Sequence, residues 1–85
     1  MSKGNQRIIL EIIKNESSYK KECKGIFLIT DNHEYSIFEN HSALLLPIKN
    51  AIITIKSNDN NIDEAINIER GIFVFQNNKS IIITL

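Results

Sequence analysis

The chain has no tryptophan, one cysteine, one proline, three glycines and no net charge. Each shortage excludes something. A lone Cys23 forms no internal disulfide, so no cross-linked framework supports the fold and nothing points to an oxidising compartment. Gly4, Gly25 and Gly71 stand far apart, which removes the glycine-rich loop that wraps phosphates. Ten basic residues balance ten acidic ones with no long run of either. The chain therefore lacks the broad positive field with which nucleic-acid binders displace counterions. No apolar run reaches the ~18–20 residues of a membrane span. The opening Met1-Ser2-Lys3-Gly4-Asn5-Gln6-Arg7 has no signal-peptide core. These features lead to the expectation of a soluble cytoplasmic chain without direct membrane insertion. Residues 1–85 form one domain on this reading, because the length leaves no room for a second.

What is present is isoleucine in short bursts. Apolar residues gather at Ile8–Ile13, Ile26–Ile29, Tyr35–Phe38, Leu44–Ile48, Ile52–Ile55, Ile66–Ile68, Ile72–Phe75 and Ile81–Leu85. Isoleucine is stiff at χ1 and suits a pleated strand better than a helix. Bursts this short, each bounded by turn residues, predict an all-β fold, a small antiparallel sandwich of about ten short strands. Ile26, Leu28, Ile37, Val74 and Ile82 are expected in the core, with no helix beyond about two turns. Turns are marked by Asp31-Asn32, Asn40, Asn58-Asp59-Asn60-Asn61 and Asn77-Asn78. Asn tolerates positive φ and so substitutes for glycine. Pro47 belongs at a strand edge or bulge, since it cannot donate to a ladder. Asn61–Asn67 reads as a loop entering a strand.

Three segments break the alternation expected of a half-solvated strand: Ile26-Phe27-Leu28-Ile29, Ile72-Phe73-Val74-Phe75 and Ile81-Ile82-Ile83. So small a domain cannot bury both sides of all of them. One sheet face is expected to be a protein–protein interface.

Catalytic chemistry finds little support. His33, His41 and Cys23 match no zinc spacing. No serine sits in a nucleophile elbow. Glu34 and Glu39 could be drawn as a paired-carboxylate site, but polar turns routinely carry acidic residues, and the pair is read as an ordinary acidic turn. His41 taken alone is a turn histidine bonding to backbone. No catalytic residue, cofactor or metal site is assigned.

The segment Glu34-Tyr35-Ser36-Ile37-Phe38-Glu39-Asn40-His41-Ser42-Ala43-Leu44-Leu45, followed by Glu69–Leu85, resembles the N-terminal β-domain of the epsilon subunit of the F-type ATP synthase. That family carries Gly-Glu-Leu-Gly-Ile, then Pro-Gly-His-Ala-Pro-Leu-Leu, then Lys-Pro-Gly, and later a Gly-Gly pair between apolar strands. The resemblance runs from about Ile9 to Leu85. Leu10-Glu11-Ile12-Ile13 looks like the family's first strand. Glu34, Ile37, His41, Leu44, Leu45, Lys49 and Gly71 fall on matching positions. His33, Ser36, Glu39, Asn40, Ala43, Asn50-Ala51 and Arg70 depart from the pattern, mostly where the family has glycine or proline.

The resemblance implies a non-catalytic central-stalk subunit of the proton-translocating ATP synthase. Such a subunit binds gamma and contacts the c-ring, coupling proton flow to ATP synthesis. It implies a gamma contact through His41, Ser42, Ala43 and Leu44, with Phe73 and Phe75 added from an open sheet face. It implies a c-ring contact through Asp31 and Glu34, and a peripheral location on the cytoplasmic face of the inner (plasma) membrane. The family's C-terminal helical hairpin has no counterpart before Leu85, so a chain ending there is expected to lack the inhibitory and nucleotide-sensing roles. The alternative is a free-standing small β-sandwich that binds a peptide or small ligand at an edge strand or end loop.

Overall fold

The structure, a computed structural model, describes residues 7–56 and 64–85. The described residues form one seven-stranded sheet and no helix. The strands are β1 (Ile8–Lys14), β2 (Ser17–Cys23), β3 (Gly25–Ile29), β4 (Glu34–Phe38), β5 (Leu44–Lys56), β6 (Glu64–Gln76) and β7 (Lys79–Thr84). Their order across the sheet is β2-β1-β7-β6-β5-β3-β4. All neighbours are antiparallel except β1 and β7, which run parallel with Ile12 beside Ile82. The expected all-β sandwich architecture is present, with fewer and longer strands than the burst pattern suggests.

The difference lies in β5 and β6, each thirteen residues long. Four of the sequence bursts fuse into these two strands. Each strand changes its inward face midway. In β5 the inward residues are Leu44, Leu46 and Ile48, then Ala51, Ile53 and Ile55. In β6 they are Ile66 and Ile68, then Gly71, Phe73 and Phe75. Between them Lys49-Asn50 and Glu69-Arg70 face outward, on facing stretches of the two strands. Asn50 has φ 51°, a left-handed conformation open to Asn at modest cost. This corner folds the sheet over itself.

The first layer consists of β2, β1, β7, the C-terminal part of β6 and the N-terminal part of β5. The second consists of the remaining parts of β6 and β5 with β3 and β4. Pro47 sits where β5 pairs with β6 alone, so its missing N–H disrupts no ladder. Lys24 N–H donates to the Lys56 carbonyl at 2.8 Å, joining the chain between β2 and β3 to the end of β5.

The core lies between the layers. Ile8, Leu10, Phe73, Phe75 and Ile82 from the first meet Ile26, Leu28, Ile37, Ile53 and Ile55 from the second, all fully buried. Ile26, Leu28, Ile37 and Ile82 are buried as expected, whereas Val74 is not. The inward phase of β6 beyond the corner runs through Gly71, Phe73 and Phe75, which turns Val74 outward. The buried Ser80 hydroxyl has no hydrogen-bond partner among the described residues. Burial also pushes the Cys23 thiol pKa up, so it behaves as a small apolar group.

The positive-φ non-glycine residues described are all asparagines: Asn15, Asn40, Asn50, Asn77 and Asn78. Asn77 and Asn78 join Gln76 to Lys79 as a two-residue hairpin loop with both φ values positive, the type I′ arrangement. The Asn58–Asn61 turn lies outside the described residues. Glu64–Asn67, read from sequence as part of a loop entering a strand, already belongs to β6.

Candidate docking surface

The side of the first layer that faces away from the core is built from strand register. Ile13 of β1 lies beside Ile83 of β7, Ile83 beside Ile72 of β6, and Ile72 beside Pro47 of β5. One rung further from the corner, Ile81, Val74 and Leu45 follow in the same way, with Glu11 at the end. Residues paired across strands share a face. Two adjacent rungs are therefore apolar across neighbouring strands, and none of these side chains is fully buried. Leu45 is 69% exposed and Ile83 40% exposed.

Next toward the corner, Lys49 and Arg70 lie directly opposite each other, both exposed. Neither has an ion pair among the described residues. Lys14, Glu69, Arg70 and Leu85 border a cleft of about 370 Å³ at this corner. The opposite end carries Lys79 beside Gln76.

The His41–Leu44 segment enters β5 at that opposite end. Asn40 N–H donates to Asn78 Oδ1 at 2.5 Å, and Asn78 Nδ2 donates to Asn40 Oδ1 at 3.4 Å, tying the β4–β5 loop to the β6–β7 turn. His41 Nδ1 lies 2.8 Å from the Ser42 carbonyl. Its ring stands edge-on to Phe75 with centroids 5.9 Å apart. Ser42 and Ala43 are exposed, and Leu44 is half-buried against the core. Ala43, His41 and Gln76 share a cleft of about 470 Å³ with Asn40, Asn77 and Asn78. Ala43 stands two residues before Leu45, so the loop leads directly onto the apolar face.

Phe73 and Phe75 do not belong to an open face. Both are at 0% exposure. The non-alternating run Ile72–Phe75 contributes Ile72 and Val74 to the surface instead. A one-residue change of phase swaps every side chain between faces, and the corner at Glu69-Arg70 sets that phase.

Asp31 and Glu34 lie in and beside the β3–β4 turn, both exposed. The turn is closed by Thr30 N–H donating to the His33 carbonyl at 2.9 Å, and His33 N–H donates to Thr30 Oγ1 at 3.2 Å. His33 stacks on Tyr35 with centroids 6.0 Å apart. A shallow cleft of about 270 Å³ separates this turn from Leu46–Lys49. Sequence reasoning missed the partners of this turn and also the Lys49–Arg70 rung. The outward pair at the corner is the signal that finds the latter.

A further cluster joins the layers. Tyr19 Oη and Lys21 Nζ of β2 both donate to Glu64 Oε1 of β6, at 2.8 and 3.0 Å. The Tyr19 and Lys21 hydrogen bonds hold the Glu64 carboxyl below its ordinary value. Desolvation, then the bond to Glu64, raises the Tyr19 phenol, and the Glu64 bond raises Lys21.

Among the described residues no group of three or more His, Cys, Asp or Glu side chains converges on a point, and no helix is long and apolar enough to cross a membrane. No family model and no curated protein matches the sequence. The fold superposes on a chain in the cryo-EM structure of the Euglena gracilis mitochondrial ATP synthase, OSCP/F1/c-ring in rotational state 1. The TM-score is 0.80 at 16% identity, over 98% of this chain and 56% of that one. The chain thus spans little more than half the length of its structural neighbour.

Proposed function

We propose that this chain is the β-sandwich domain of a non-catalytic central-stalk subunit of an F-type ATP synthase, corresponding to the N-terminal domain of epsilon. The observation that carries the reading is the superposition over nearly the whole chain on a member of an ATP synthase assembly. The sequence blocks around Glu34–Leu45 and Glu69–Leu85 independently resemble the epsilon family. In this role the protein is peripheral to the membrane, at its cytoplasmic face. It binds gamma through His41–Leu44 and the apolar rungs that continue from it, and meets the polar loops of the c-ring with Asp31 and Glu34. Its close-packed core suits torque transmission, because such interiors are barely compressible. The exposed Asp31–Glu34 turn would act as a screened electrostatic contact that weakens with salt.

Co-purification with the cognate gamma subunit tests the reading. Wild-type protein is expected to form a stable complex. Ala43→Asp is expected to weaken it, since an unpaired charge must be desolvated in an apolar contact. Failure of the wild-type chain to bind gamma would remove the central-stalk assignment.

A further inference from the structure

The apolar rungs of the first layer stop at a pair of like charges, and that termination says something about what covers them. Lys49 and Arg70 face each other across β5 and β6. Like charges directly opposite on a sheet destabilise it. Among the described residues no carboxylate pairs with either, although Glu69 lies next in sequence. The free protein thus sets two like charges on facing positions, without a carboxylate partner among the described residues, at the border of its apolar face.

We infer that this face receives an amphipathic α-helix of a partner protein, with its apolar stripe on the two rungs and its carboxylates over Lys49 and Arg70. The geometry favours a helix over an extended segment. A strand docks by hydrogen-bonding to a sheet edge, but here the backbone groups of β1, β7 and β6 are already taken by neighbours on both sides. These three strands offer only side chains, and the one open edge of this face, Leu44–Lys49 of β5, is blunted by Pro47, which has no N–H to give an added strand. Two rungs and their borders measure on the order of 10 Å along the strands, and four strands about 14 Å across. That strip accepts one helix, whose own backbone is satisfied internally and whose diameter is about 10 Å. A second copy of this chain fits poorly. Stacking two such faces brings the Lys49–Arg70 rung of one against either the same rung or the Lys79 rung of the other, cation on cation.

The inference rests on the central-stalk reading for the identity of the test partner, the cognate gamma subunit. Lys49→Glu alone is the informative variant. It converts a like-charge pair into an ion pair with Arg70, so the free protein should melt no lower than wild type. It should nevertheless bind gamma at least tenfold more weakly at low salt, with the difference narrowing at high salt as the charges are screened. Hydrogen exchange on gamma should show protection concentrated in one helical, carboxylate-bearing segment, reduced in the complex with the variant. If Lys49→Glu and Arg70→Glu both bind gamma as wild type does, the face is not read by acidic groups and the inference fails while the central-stalk reading stands. If wild-type protein does not bind gamma at all, both fail. A wild-type dimer in sedimentation that Lys49→Glu dissociates would give the face to a second copy and overturn the inference.

Discussion

The two layers turn similar sequence toward solvent in different ways. On the outside of the second layer, polar side chains interrupt each apolar rung. Ile29 and Ile52 are flanked by Glu34 and Asn67, and Phe27 is flanked by Ser36 and Thr54. Phe38 packs over Gly25 and meets Phe27 edge-on with centroids 5.7 Å apart. The aromatic surface is partly covered from within the layer. On the outside of the first layer, isoleucines run from strand to strand with no such cover, and the run ends on two cations. Apolar content alone does not mark a docking surface; continuity across strands and an unanswered charged border do.

The largest expected effect separates inside from outside within one strand. Phe73→Ala should destabilise by about 3–5 kcal/mol, since it opens a cavity in a close-packed core. Val74→Ala, one residue along on the outer face, should cost no more than about 1 kcal/mol while still weakening the complex with gamma. Chemical denaturation of the two variants decides the phase of β6. Equal losses would place the corner elsewhere.

A middle-sized effect contrasts the glycines of the two layers. A Cβ on Gly71 would lie 2.5 Å from the Ile83 carbonyl oxygen, backbone that cannot move without breaking its ladder. A Cβ on Gly25 would meet the Phe38 ring at 2.6 Å, and that ring is 45% exposed and free to swing. Gly71→Ala should therefore cost about 1–3 kcal/mol, as overpacking does, and Gly25→Ala less. Thermal melts of both compare them directly; a reversed order would contradict the packing described.

The smallest effect concerns the clasp between the layers. The Glu64 pKa is lowered by its bonds to Tyr19 and Lys21, so its contribution is present above the ordinary carboxylate value of 4.5 and is lost as pH falls through the folded value. Tyr19 and Lys21 are raised, so theirs is present below about 10 and lost as pH rises through their folded values. Wild type should melt slightly above Glu64→Gln at neutral pH, and the gap should close on acidification below ~4. A gap independent of pH would show that the clasp does not depend on the carboxylate's charge.

Much of this was legible in the sequence. Isoleucine bursts between asparagine turns point to the all-β class, and Asn40, Asn50, Asn77 and Asn78 hold left-handed turn positions of the kind glycine commonly fills. The polar strand Ser17-Ser18-Tyr19-Lys20-Lys21-Glu22-Cys23 was not, because an edge strand facing water carries no apolar burst. Nor was the assignment of faces in Ile72–Phe75. A run apolar at every position contains no alternation, so the phase comes from the corner at Asn50 and Glu69-Arg70, a tertiary feature. For the same reason the sequence reading puts Phe73 and Phe75 on the open face and Val74 in the core, the reverse of the structure.

On the proposed reading the outer face of the first layer, and not that of the second, docks gamma. Ile83 and Ile52 form a matched pair for testing it, 40% and 43% exposed on the two faces. Each is replaced by aspartate, thermal melts establish that both variants fold, and sedimentation velocity measures assembly with the cognate gamma subunit. Ile83→Asp is expected to lose the complex while Ile52→Asp keeps it. Equal binding by the two, or loss confined to Ile52→Asp, would contradict it.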